Sequence, residues 1–477
     1  MVNIMPKAKG DKAYTKNLKC PKCKQPVFIH EGKKKFCPSC NYYFEHATMK
    51  EEKKRHKQIE KKSKKRGHLL FLVALVIIII VSSVTAYYYW KSDSETGYMS
   101  IDEVGEIRGL EPKKDVPPQT MSKEELLDYL DKLLDEEEKA RLEREETIYR
   151  NTFIIDDEFD LLNLSVESSA DQIAGFYDPE TKEMYVIGNH LSPYINSILS
   201  HEFTHALQDQ YFDLEVFLEN NSYDQQLARL SVVEGDATLV MNQYVSNMSV
   251  LERVIKELDA TVTIGSALIN SANVEGNKAL TSLTLFPYTS GLSFVQGAYG
   301  KDEWDSVNRL YDNPPISSEQ IIHYEKYLMS EEPKEISFEL PISGFDLEFR
   351  ETLGEYLISQ MLDQHVGGSM DTSIISLLGM DMTGEEARNA ASGWGGDRFH
   401  YYTRANDFLS VFCTTWDTVK DNEEFNDAYD EMIFFIEDYH EEEIFFIRDG
   451  YLYKDSSGLN TTIYYSNDID VIQELIG

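Results

Sequence analysis

The residues best suited to chemistry are concentrated in one stretch, Ser200-His-Glu-Phe-Thr-His-Ala-Leu-Gln-Asp209. Two histidines four apart on a helix share a face, one turn from each other. His201 and His205 can then reach one zinc ion, while the intervening Glu202 stands where it can act on a water held by that ion. A hydrolytic zinc site takes three protein ligands and keeps a fourth position open. Glu234, in the helical stretch Tyr223–Tyr244, is the preferred third ligand. Asp209, Asp213 and Glu215 compete with it, but Asp209 lies on the histidine helix and is better placed behind the ligands. Two neutral imidazoles and one carboxylate leave a divalent ion with a net charge of +1, which acidifies water toward neutrality. Glu202 takes that proton as the water attacks a carbonyl and returns it to the leaving amine. A donor for the oxyanion is also needed. His323, within Pro314–Tyr327, and Arg398, within the glycine-rich Ala391–His400, are the candidates for that catalytic role.

A second set of metal-ligand residues lies near the N-terminus. Cys20-Pro-Lys-Cys23 and Cys37-Pro-Ser-Cys40 are two Cys-x-x-Cys knuckles separated by 13 residues. Thiolate coordination of zinc needs two such pairs brought together by a hairpin, and Val27-Phe-Ile29 with Lys35-Phe36 supplies its strands. Four sulfurs close the coordination shell, so this zinc is expected to be structural. The pattern resembles a zinc ribbon, whose partner the sequence does not identify.

These residues need elements to hold them. Ile173–Tyr177, the turn Asp178-Pro-Glu-Thr-Lys182 and Glu183–Gly188 are expected to form a β-hairpin just before the histidines. Ser192-Pro193 then gives a helix cap followed by proline at the first helical position. Downstream, Phe408–Trp416, Glu443–Arg448 and Leu459–Tyr465 are expected strands, and Glu424–Tyr439 an amphipathic helix. With no repeat and no sharp linker, this half is expected to complete one α+β catalytic domain with a mixed sheet and a metal-binding helix.

The order of hairpin, His-Glu-Phe-Thr-His helix and second helix with Glu234 resembles the thermolysin-like gluzincin metallopeptidases over residues 170–245. The resemblance implies a zincin-like fold in which the hairpin before the metal helix offers an edge strand to the substrate backbone. It also implies that His201, His205 and Glu234 are the ligands, with Glu202 as general base. Two departures stand out. Thr238 occupies the place where the family has an aspartate four residues after the glutamate ligand, and the nearer acid is Asp236. The family's transition-state histidine and tyrosine have no aligned counterpart.

Charge divides the 477-residue chain. Residues 1–67 carry 20 Lys/Arg against 6 Asp/Glu, whereas the remainder carries 26 against 77, giving −37 overall. So acidic a surface argues against nucleic acid as a partner of the larger part. Ten Lys/Arg in the 17 residues Lys50–Arg66 precede the uncharged run Leu69–Trp90, which ends in Tyr-Tyr-Tyr-Trp. Its 22 residues would reach about 33 Å as a helix, enough to span a bilayer. The basic flank then predicts a single-pass protein of the cell membrane, with a cytoplasmic N-terminus and an extracellular catalytic domain. Expected boundaries are a zinc ribbon over 1–49, a basic juxtamembrane segment over 50–68, the transmembrane helix over 69–90, a linker over 91–120 and the metallopeptidase domain over 121–477. Ser122 with Glu125 marks the start of a helix whose leucine stripe continues to about residue 150.

The expected function is peptide-bond hydrolysis by a membrane-anchored zinc metallopeptidase, endopeptidase rather than exopeptidase, holding one catalytic and one structural Zn²⁺. The alternative is an inactive zincin-like ectodomain that serves as a binding or sensor module coupled to a cytoplasmic ribbon.

Overall fold

The computed structural model describes residues 14–20, 22–29, 34–37, 42–45, 98–156, 159–161, 173–188, 191–219, 222–257, 278–340, 342–366, 383–436 and 444–476. The chain divides into two compact units, Met1–Ser94 and Glu95–Gly477. In the first, β1 (Tyr14–Lys19), β2 (Pro26–Ile29), β3 (Lys34–Cys37) and β4 (Tyr42–Glu45) form an antiparallel sheet in that order. The β2–β3 hairpin pairs Phe28 with Phe36. The Cys23 and Cys37 sulfurs are 3.4 Å apart, and those of Cys20, Cys23 and Cys37 all lie within 4.8 Å of one another. Tetrahedral bonds of about 2.3 Å to zinc place sulfurs about 3.8 Å apart, so these three suit three corners of such a site. Cys40, the expected fourth ligand, lies outside the described residues.

The second unit starts well before residue 121. Its first helix, α1 (Ile101–Arg108), opens with a reciprocal cap between Ser100 and Glu103. β5 (Pro118–Met121) follows. Most of the expected 91–120 linker is thus built into the fold. The leucine stripe after Ser122 is divided into two helices, α2 (Lys123–Leu133) and α3 (Glu136–Asn151). The division falls at Asp135, whose carboxylate accepts from the Glu137 and Glu138 N–H groups and so caps a new helix.

β6 (Gly175–Asp178) and β7 (Glu183–Ile187) form the expected hairpin. β5 adds parallel to β7, giving a mixed sheet in the order β5-β7-β6 with β6 at an edge. Four helices come next: α4 (Pro193–Phe212), α5 (Leu214–Leu218), α6 (Tyr223–Asn247) and α7 (Lys278–Asp312). α6 packs along α7 and against α4.

The short helices α8 (Ser318–Ile322) and α9 (Tyr324–Leu328) precede β8 (Asp346–Glu351). Two helices, α10 (Gly354–Val366) and α11 (Glu385–Ala391), then lead into β9 (Trp394–Arg404) and β10 (Asp407–Trp416). The chain continues through α12 (Val419–Ile436), β11 (Phe445–Ile447), β12 (Gly450–Ser457), β13 (Asn460–Ser466) and α13 (Ile469–Ile476). These strands make an antiparallel sheet ordered β11-β12-β13-β10-β9-β8. Its core includes Trp394, Phe412 and Trp416, which are continuous with Phe286 and Phe294 of α7. A separate core joins Ile101 and Val104 of α1 to Met184 of β7 and to Leu199 and Phe203 of α4.

The α+β class holds for this unit, but the expected membrane-spanning helix is corrected. Residues 69–90 lie outside the described residues, and among the described residues no helix is long and apolar enough to cross a membrane. α4, α6 and α7 have the length, at 20, 25 and 35 residues, the last broken by a kink at Asp302 and Glu303. Ionisable side chains interrupt α4 and α6, and the uncharged run of α7 is interleaved with Thr, Ser, Tyr and Gln. The single-pass membrane placement, with a cytoplasmic N-terminus and an extracellular catalytic domain, rested on that helix. It is withdrawn with it.

Candidate metal centre

The hairpin and α4 are locked together before any ligand is considered. The Tyr177 hydroxyl donates to Asp209 at 2.8 Å, and the Lys182 ammonium pairs with the same carboxylate at 2.8 Å. Asp209 therefore sits behind the site as a docking point, as its place on the histidine helix suggests. Ser192 caps α4 through the Ile195 N–H, and Pro193 fills its first turn. One turn apart on that helix, the rings of His201 and His205 meet edge to face with centroids 4.6 Å apart.

α6 supplies the third side chain. Glu234 Oε2 lies 3.0 Å from His201 Nε2 and 3.5 Å from His205 Nε2, and the three ligand atoms fall within 4.8 Å of one another. Zinc bonds of about 2.0–2.1 Å in a tetrahedron separate ligand atoms by about 3.3 Å. The spacings found bracket that value, and two imidazoles with one carboxylate are a donor set zinc accepts. The residues fit the ion.

The electrostatics follow from this convergence. Burial works against ionisation of Glu234, but His205 and the hydrogen bonds from both histidines hold its carboxyl well below the usual range. Burial likewise works against charge on His205, yet Glu234, Glu202 and Gln208 push it up to about 9. Metal and proton thus compete for His205 Nε2. Glu202 is held differently. One of its oxygens accepts the Tyr177 N–H at 3.1 Å, and burial raises its carboxyl above the ordinary range against the pull of His201 and His205.

Tyr288, on α7, is the residue that sequence reasoning missed. Its ring stacks near His201, with centroids 6.0 Å apart and planes at 24°. Tyr288 is 39% exposed, and its hydroxyl lies in the field of the Glu234 and Glu202 carboxylates. Burial and the Glu234 and Glu202 carboxylates push that hydroxyl well above the usual phenol range, so it remains a donor. Helix crossing explains its position. A Cβ on Gly235 would lie 2.3 Å from the Gly291 carbonyl oxygen, and one on Gly291 would lie 2.3 Å from the Ser231 oxygen. Only glycine at both positions lets α6 and α7 approach so closely. Tyr288, one turn before Gly291, is thereby brought against Glu234, next to Gly235. The readable signal was a glycine inside each of two long helical stretches, Gly235 and Gly291.

The histidine support also differs from a simple carboxylate. His205 Nδ1 is 2.9 Å from Gln208 Oε1, and Asp236 lies one residue further back, accepting from Gln208 Nε2 at 3.2 Å. Thr238, where the resembling family has aspartate, is buried and makes no side-chain hydrogen bond through Oγ1 among the described residues.

The two other sequence candidates lie apart from this cluster. His323 Nε2 pairs with Glu355 Oε1 of α10 at 3.0 Å. Arg398 lies on β9, opposite Cys413 of β10, in the field of Glu351 and Asp397. Among the described residues neither hydrogen-bonds or ion-pairs with His201, Glu202, His205 or Glu234. A third acidic group, Glu319, Glu331 and Asp417, surrounds the Lys326 ammonium at 2.6, 2.8 and 3.1 Å, so its cation is internal.

Comparison with known proteins adds one match. A family model described as Domain of unknown function (DUF8575) matches residues 345–472, the region of the six-stranded sheet. The histidines, Glu202, Glu234 and Tyr288 all precede it. No curated protein and no solved structure matches the chain.

Proposed function

We propose that this chain is a zinc-dependent metallopeptidase, probed most directly as an endopeptidase, with His201, His205 and Glu234 as ligands. The observation that carries this reading is the convergence of two imidazole nitrogens on Glu234 Oε2, at 3.0 and 3.5 Å, with Glu202 half-buried on the same helix as the histidines. A zinc ion held there would acidify water and polarise the scissile carbonyl.

The chain's own groups account for the remaining steps. β6 is a sheet edge, and the Ile187 N–H to Ala174 bond sets the alternation of its ladder. Gly175 and Tyr177 therefore turn their backbone groups away from β7; with the Tyr177 N–H taken by Glu202, the Gly175 N–H and the two carbonyls face the side where an extended peptide can add. The Tyr177 N–H holds one Glu202 oxygen, leaving the other to take the proton of the attacking water. Addition of that water to the carbonyl carbon makes the C–O bond and leaves an oxyanion; Glu202 then passes the proton to the nitrogen, and the C–N bond breaks as the carbonyl re-forms. The Tyr288 hydroxyl, kept protonated by the carboxylates around it, donates to the oxyanion.

Glu202→Gln tests this directly. The variant is expected to bind zinc at this site as the wild type does and to lose at least about 100-fold in kcat toward a fluorogenic peptide. Cleavage at the wild-type rate by a zinc-loaded Glu202→Gln protein would overturn the mechanism.

A further inference from the structure

Behind His205 runs a buried chain of polar groups that ends on α1. Arg108, fully buried, donates from Nε to Asp236 Oδ1 at 2.7 Å. Its Nη2 donates to Asn308 Oδ1 at 2.8 Å, and its guanidinium lies over the Trp304 ring at 4.6 Å. Asp236 Oδ2 accepts from the Tyr311 hydroxyl at 2.8 Å and from Gln208 Nε2 at 3.2 Å. Gln208 Nε2 donates also to the Val233 carbonyl at 2.9 Å. A carboxylate paired with a guanidinium only accepts, as a backbone carbonyl does. The Gln208 amide must therefore turn its NH₂ toward Asp236 and Val233 and its Oε1 toward His205. That orientation requires His205 to carry a proton on Nδ1 and leaves Nε2, 3.5 Å from Glu234 Oε2, as the nitrogen available to a metal.

We propose that Arg108 is a positioning residue for the metal centre. Through Asp236 and Gln208 it sets the tautomer and ring orientation of His205, and so the zinc affinity, from a segment that precedes the whole catalytic hairpin. This inference rests on the proposed metal site and adds a determinant that lies 93 positions upstream of the first ligand histidine. The segment is fastened along α4 on both sides of Arg108. The Met99 N–H donates to Asn196 at 3.2 Å, the Lys113 N–H to Gln210 at 2.7 Å, and the Tyr211 hydroxyl to the Glu111 carbonyl at 2.7 Å. Arg108 and Asp236 cancel in charge, so removing both together leaves the field at His205 nearly unchanged. The effect is one of orientation, as for other groups that stand behind metal ligands.

The test measures the zinc affinity of the full chain by competition with a chromophoric chelator, well below the melting temperature of every variant. A His205→Ala chain identifies the zinc bound elsewhere. Arg108→Met is expected to bind zinc at this site about 10–100-fold more weakly, with Arg108→Lys partly restoring affinity. Tyr211→Phe, which loosens the same segment without touching the relay, should bind as the wild type does. Arg108→Met/Asp236→Asn leaves no buried charge unpaired and so remains measurable if Arg108→Met alone does not fold. Freed of a carboxylate, Gln208 can turn, and the affinity loss should persist. The visible spectrum of the cobalt(II) forms should change in parallel, since ligand geometry changes. Wild-type affinity in the double variant, or an equal loss in Tyr211→Phe, overturns the role of Arg108. Wild-type protein that binds no more zinc than His205→Ala overturns the metal site itself.

Discussion

The contact between Gly291 and α6 offers a sharp test of how the site is assembled. In Gly291→Ala the new Cβ would lie 2.3 Å from the Ser231 carbonyl oxygen, whereas ordinary contact begins at 3.4 Å. α6 and α7 must therefore part by about 1 Å at this crossing. The rigid partner is backbone, so no rotamer change relieves the clash. Overpacking of this kind costs about 1–3 kcal/mol of stability. Tyr288, one turn away on the same helix, moves with Gly291, whereas Glu234 stays tied to α4 by the Gln208 bond to Val233. A 1 Å displacement of a catalytic group costs on the order of 100-fold in rate. The assay is kcat on a fluorogenic peptide, read beside zinc stoichiometry and melting temperature. The account expects a folded, zinc-loaded enzyme with turnover reduced about 100-fold. Wild-type turnover in a protein destabilised as expected would show that the α6–α7 approach does not place the oxyanion donor.

Two further outcomes follow from single side chains. Tyr288→Phe removes only the donor, so kcat should fall about 100- to 1,000-fold while zinc affinity changes little; an unchanged kcat would remove Tyr288 from the mechanism. His400 governs part of the acid stability. Its Nδ1 has no hydrogen-bond partner among the described residues, and burial, Arg398 and Arg350 push its imidazolium down to about 4. Unfolded histidine protonates near pH 6.5, so between about 6.5 and 4 only the unfolded chain takes up the proton. The contribution is full above that window and lost as pH falls through it, by about 2 kcal/mol after allowance for solvent screening. His400→Gln should flatten the slope of unfolding free energy between pH 7 and 4.5, and an unaltered slope would contradict the assignment.

What could be read beforehand was what local spacing encodes. His201, Glu202 and His205 lie on consecutive turns of one helix, Glu234 lies in a second well-marked helix, and the hairpin is announced by Asp178-Pro179 between alternating apolar residues. Those features need only helix and strand periodicity. Tyr288 depends on a helix crossing set by Gly235 and Gly291, 56 residues apart in sequence, and no local pattern shows which helices cross. His323 and Arg398 were attractive by type, but tertiary contacts assign the first to Glu355 and the second to the six-stranded sheet. Asp236, the acid nearest to the place where the family has aspartate, reaches His205 only through Gln208. Gly105, Gly109 and Pro117-Pro118 break any helical or strand pattern within 91–120, which is why that segment reads as a linker. Gly109 in fact ends α1 in a left-handed conformation, and Pro118 begins an edge strand. The glycines of Trp394–Arg404 disguised a strand buried along most of its length.

The central claim is that His201, His205 and Glu234 hold one zinc ion. Anomalous diffraction measured on both sides of the zinc absorption edge, on crystals of the full chain, tests it without reference to activity. The account predicts a peak about 2 Å from His201 Nε2, His205 Nε2 and a Glu234 oxygen. Zinc among the cysteines with no peak between these three side chains would contradict it.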